Sequence, residues 1–117
     1  MAELTDCIFC RIAAGSVPAT VVRQDEHTVA FRDLEPKAPL HVLVIPRRHI
    51  ASVNDLQDGD AGVIGALFVA ARDIAAAEGV ADAGYRVVMN TGPAAGQSVQ
   101  HVHLHVLGGR DMRWPPG

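Results

Sequence analysis

The chain has 117 residues, 49% hydrophobic and 20% charged, with 10 basic against 13 acidic side chains and a net charge of −3. That length argues for one domain over 1–117, and the composition is too apolar for disorder and too mixed for a membrane protein. The charge lacks the basic surplus of a nucleic-acid binder. No run reaches the about 18 apolar residues of a membrane span, and the nearest, 66–77, is interrupted by Arg72 and Asp73. The opening Met-Ala-Glu-Leu-Thr-Asp has neither a basic nor an apolar leader segment, so a cytoplasmic location is expected.

In chain order, Asp6 can cap a short helix over Cys7 to Ala14, stopped at Gly15. Alternating runs near 20–24 and 27–32, split by Asp25-Glu26, read as a hairpin, with His27 at the surface. Leu34-Glu35-Pro36-Lys37-Ala38-Pro39 is a proline-stiffened loop. His41 to Ile45 is a strand closed by Pro46, and Ile64, Leu67, Phe68, Ala71, Ile74 and Ala75 recur at helical spacing before Gly79. Tyr85–Met89 and Val102–Leu107 supply two more strands. Helix, three closely linked strands, helix and two strands predict an α+β fold with an antiparallel five-stranded sheet and two helices. Its exposed edges favour a dimer.

The informative stretch is His101-Val102-His103-Leu104-His105-Val106. In a strand the three imidazoles share one face, with the Cα atoms of His101 and His105 about 13 Å apart. Three readings follow: a solvated face, a zinc-binding His-x-His pair, or a nucleophile. A neutral imidazole attacks phosphorus without a separate base. The preceding Asn90-Thr91-Gly92-Pro93-Ala94-Ala95-Gly96-Gln97-Ser98 favours phosphate, because its glycines allow close backbone approach and Gln97 and Ser98 add donors. Cys7 and Cys10 form a CxxC pair, which in an unsecreted chain points to metal or redox chemistry before a structural disulfide.

The His-Val-His-Leu-His-Val run resembles the signature of the histidine triad superfamily. Gly96-Gln97-Ser98-Val99, Leu107-Gly108-Gly109-Arg110 and Trp114-Pro115-Pro116-Gly117 are similar to its Hint branch. So are Phe31-Arg32-Asp33-Leu34, Ala38-Pro39-Leu40-His41 and Val44-Ile45-Pro46-Arg47-Arg48-His49-Ile50. The resemblance implies a HIT-like homodimer whose sheets join into a continuous ten-stranded one. It implies cleavage of the P–N bond of purine nucleoside 5′-phosphoramidates, with AMP- or GMP-type nucleotides bound and no cofactor needed for catalysis.

By the same resemblance His103 is the nucleophile, flanked by His101 and His105, with His105 on the phosphate, His41 orienting the rings and Ser98 near the leaving group. Asp33 holds the ribose. Phe31, Leu34 and Ile12 line the base pocket, and Asn90, Gly96, Gln97 and Val99 approach the phosphate. Trp114 reaches the other subunit's site. Arg113, where many relatives carry histidine, and Arg32 are expected to shift preference toward acidic leaving groups. Some bacterial-type relatives hold a structural zinc with residues matching Cys7, Cys10, His49 and His101; a pair of reduced thiols is the alternative. Three other activities compete: a dinucleoside polyphosphate hydrolase, a nucleotide-binding regulator and a metal-dependent hydrolase.

Overall fold

The computed structural model describes residues 6–117; the first five residues of the stretch read for a leader lie outside them. Helix α1 (Ile8–Ala13) leads into β1 (Val21–Gln24), β2 (Thr28–Arg32) and β3 (Leu40–Pro46). Helix α2 (Ala61–Ala77), β4 (Tyr85–Val88) and β5 (Leu104–Gly108) complete the chain. The five strands form one antiparallel sheet in the order β1-β2-β3-β5-β4, so the fold is α+β as expected. Among the described residues no helix is long and apolar enough to cross a membrane.

Each element has a local cause. The β1–β2 turn is built on Asp25, whose Oδ1 accepts from the backbone N–H groups of His27 and Thr28, both at 2.8 Å. Those bonds, led by the one from His27, hold the Asp25 carboxyl below its ordinary pKa. His27 is exposed on that turn. Helix α1 is capped by Cys7 rather than Asp6, because the Cys7 Sγ accepts from Cys10 N–H at 3.3 Å. Helix α2 buries Leu67, Ala70, Ala71, Ile74 and Ala75, a stripe at the i, i+3, i+4, i+7, i+8 spacing of an amphipathic helix. Phe68 falls about 100° around the helix from Leu67 and stays 49% exposed.

The sheet separates two apolar layers. Beneath α2 lie Ala30, Leu40, Val42, Val44, Val80, Leu104 and Val106. On the other face Phe9 of α1 packs with Val29, Phe31, Leu43 and Ile45. Strand β3, at the sheet's centre, is buried along its whole length. Fully buried Leu67 closes the α2 layer, and its truncation to alanine is worth ~2–5 kcal/mol. Strand β5 begins at Leu104, so His101 and His103 precede the ladder instead of lying within it. Alternation nevertheless persists. Leu104 and Val106 face α2, while His103 packs its ring edge-to-face on Phe9 at 5.1 Å.

Candidate active site

The sheet's α1 face meets the β2–β3 and β4–β5 connections at one cavity of about 470 Å³. Its wall includes Phe9, Asp33, Glu35, Lys37, His41 and Leu43, with Val88, Asn90, Ser98, Val99, His103, His105 and Leu107 closing the other side. Register brings two histidines together here. Leu43 sits opposite His105 and His41 opposite Leu107, so His41 and His105 are diagonal neighbours on one face. Their rings meet through His41 Nε2 and His105 Nδ1 at 2.9 Å.

Hydrogen-bond partners assign the ring protons. His103 Nδ1 donates to the carbonyl of His101 at 2.7 Å, which leaves Nε2 with a bare lone pair. The Lys37 N–H donates to His41 Nδ1 at 3.0 Å, so the His41 proton sits on Nε2 and is donated to His105. His105, accepting at Nδ1, carries its own proton on Nε2. Two rings in the same cavity therefore hold opposite tautomers, one presenting a lone pair and the other a donor. Desolvation is the largest influence on every one of them: it holds His103 and His41 below the ordinary histidine value and brings His105 to about 4. All are neutral at pH 7.

His101 belongs to a different neighbourhood. It is fully buried, its Nε2 donates to the Pro46 carbonyl at 2.8 Å, and desolvation brings its pKa to about 4. Its Nδ1 faces Cys7 Sγ at 3.3 Å and Cys10 Sγ at 3.6 Å, and His49 Nδ1 lies 3.3 Å from Cys10 Sγ. All four donor atoms fall within 4.8 Å of one another. Zinc bond lengths of about 2.3 Å to sulfur and 2.05 Å to nitrogen, at a tetrahedral angle, put S and N about 3.6 Å apart. The donor set, its spacing and the Nε2–H anchor on Pro46, which keeps Nδ1 unprotonated, all fit Zn²⁺.

Not every residue expected at the cavity reaches it. Leu34 is 95% exposed and forms no part of the wall. Trp114, expected at the other subunit's site, is 84% exposed on its own chain. Phe31 packs on Phe9 at 5.5 Å within the α1 layer, with Ile12 against the same layer. Gln97 turns inward as a strut. Its Nε2 donates to the carbonyls of Ala51 and Val99, and its Oε1 accepts from Gly92 N–H. That strut closes the loop around Gly96, whose φ of +87° suits glycine. Arg32 is engaged by Glu78 at 3.2 Å. Phe9 and the Lys37 amide are cavity groups that periodicity does not reveal. The flanking prolines fix the backbone around Lys37, and Phe9 lies between the two cysteines.

The HIT domain family matches residues 14–112. The chain belongs to the HIT family. It is 46% identical over 112 residues to an uncharacterized HIT-like protein of Synechococcus elongatus, covering 96% of this chain and 97% of that one. A HIT family hydrolase from Legionella pneumophila superposes with a TM-score of 0.93 at 50% identity, over 95% of this chain and 99% of that one. A histidine triad nucleotide-binding protein from Candida albicans does so at 0.78 and 30% identity, over 93% and 82%.

Proposed function

We propose that this HIT protein is a nucleotide hydrolase that cleaves the P–N bond of purine nucleoside 5′-phosphoramidates. The observation that carries this reading is the pair of opposed tautomers, His103 with a bare Nε2 and His105 with an Nε2–H, in one cavity. In the first step His103 Nε2 attacks the α-phosphorus, the P–N bond breaks, and the amine leaves with a proton. In the second, water attacks phosphorus, the P–Nε2 bond breaks, and nucleoside monophosphate departs as the water's proton is lost. The His105 Nε2–H stabilises charge on the phosphoryl oxygens. Ser98 and Asp33 line the cavity; in this reading Ser98 donates to the departing amine and Asp33 accepts from the ribose hydroxyls.

The similar Legionella protein, a HIT family hydrolase, and the similar Candida one, a histidine triad nucleotide-binding protein, support this chemistry. The Leu107-Gly108-Gly109-Arg110 and Trp114-Pro115-Pro116-Gly117 ending, similar to the Hint branch, favours phosphoramidates over dinucleoside polyphosphates. Zinc on Cys7, Cys10, His49 and His101 would tie α1 to the approach of β5 as a structural clamp. A homodimer through β4 is favoured by that strand's place at the sheet edge and by Phe68 and Val69, 49% and 45% exposed on α2. Adenosine 5′-monophosphoramidate and diadenosine tetraphosphate, assayed side by side for AMP release, test the reading. Phosphoramidate is expected to give the higher kcat/KM, and His103→Ala to lose at least about 10⁴-fold. A wild-type protein that binds AMP and turns over neither substrate would favour the regulator instead.

A further inference from the structure

The segment that follows β5 grips the loop that precedes β3. Arg110 Nε donates to the Lys37 carbonyl at 2.9 Å, and Arg110 Nη1 reaches the Asp111 carbonyl at 3.1 Å. Gly109, at φ +88°, lies so close to Pro39 that a Cβ there would stand 2.9 Å from the proline's own. The residue so held is the one whose N–H donates to His41 Nδ1. A directed chain results: Arg110 to the Lys37 carbonyl, the Lys37 N–H to His41, and His41 Nε2–H to His105. Each ring accepts at Nδ1 and donates at Nε2, so the last member presents an N–H on the cavity wall.

The same chain excludes a competing use of these side chains. The ligand atoms of Asp33, His41 and His105 lie within 4.8 Å of one another, close enough for a cation. A cation on His41 Nε2 would force the proton onto Nδ1, where it would oppose the Lys37 N–H, donor against donor. The Asp33 carboxylate, 3.5 Å from His41 Nε2, favours the Nε2–H form instead.

We propose that Gly109 and Arg110 are positioning residues that clamp the Lys37 loop and so hold His105 as the donor toward phosphoryl oxygens. The kinetic consequence rests on the hydrolase reading; the tautomer does not. A charge-assisted hydrogen bond to a carbonyl is worth roughly a tenfold change in an equilibrium.

The test uses the full-length protein with isotope-labelled histidine. NMR in the wild type should resolve the His41 Nε2 proton, with scalar coupling across its bond to His105 Nδ1. Arg110→Met, which keeps the stem and removes the donors, should speed solvent exchange of that proton about tenfold. It should lower kcat by a similar factor while KM changes less than about threefold. Gly109→Ala should act in the same direction, and Arg72→Met, on the surface of α2, should change neither readout. Unaltered exchange and coupling in folded Arg110→Met and Gly109→Ala would overturn the proposal. If the wild type hydrolyses no phosphoramidate, the hydrolase reading falls, and the His41 proton still decides whether the clamp exists.

Discussion

His101 and His105 sit four residues apart in one run, yet they have been made into different groups. At the His101 end the ring is fully buried, donates to the Pro46 carbonyl and turns its lone pair toward two thiols. At the His105 end the ring takes a proton's direction from His41 and keeps its N–H on the cavity. The first partner set comes from α1 with its cap and from the end of β3, the second from the start of β3 and the proline loop. Residue type and spacing are shared, and the elements packed against each ring decide whether it serves architecture or chemistry. His103, between them, borrows from the architectural end, since its Nδ1 is held by the His101 carbonyl.

Breaking the architectural end should cost most. Cys10→Ala removes one donor from the Cys/His group, and zinc measured by mass spectrometry should fall from about one per chain to near zero. If zinc is present at a thousandfold above its Kd, the accompanying loss of stability is about 4 kcal/mol, read from urea unfolding with and without chelator. Wild-type protein purified without chelator and free of zinc would sever the comparison at that end. Breaking the chemical end should leave stability closer to wild type and reduce turnover. His105→Leu removes a donor to the phosphoryl group, and kcat should drop about 10²–10³-fold.

Acid sharpens the contrast more gently. His105 is neutral in the folded protein down to about 4, against an ordinary histidine value of 6.5. The unfolded chain therefore binds a proton between those values that the folded protein refuses. Stability is lost as pH falls through that window and levels off below it. His105→Asn should flatten the corresponding slope in unfolding free energy measured from pH 7 to 4.5; an unchanged slope would place the titration elsewhere. The smallest effect belongs to Arg113, an exposed residue whose backbone carbonyl is held by Arg86 Nη2 at 2.9 Å. Arg113→His should reduce the preference for acidic over neutral leaving amines by about two- to fivefold in kcat/KM, the scale of an exposed charge.

What was legible in the sequence follows the range of the interactions. Alternation reveals β1 and β2 and helical spacing reveals α2, while β3, buried on both faces, shows as a β-rich run closed by Pro46. The spacing of His101, His103 and His105 marked the site, since few other demands produce it. Less legible was what particular hydrogen-bond partners decide, whether distant in the chain or a few residues away. Strand β5 starts at Leu104 because pairing with β3 begins at Val44, so the first two histidines lie ahead of the ladder. Gln97 looks like a phosphate donor in the sequence and is instead consumed by carbonyls of Ala51 and Val99. Leu34 reads as pocket and lies in solvent, because the Asp33 carboxylate accepts from Glu35 N–H at 2.8 Å and turns the chain there. No local pattern signals that the Lys37 amide sets the tautomer of His41, four residues on, and through it that of His105 on the neighbouring strand.

The account stands on His103 as the atom that bonds to phosphorus. Rapid quenching of the wild-type protein with adenosine 5′-monophosphoramidate, followed by peptide mass spectrometry under conditions that preserve phosphoramidate linkages, measures this directly. An adenylyl group on the peptide 101–105, lost in His103→Ala and retained in His105→Leu, is the predicted result. Turnover without any adduct, or an adduct that persists in His103→Ala, would contradict it.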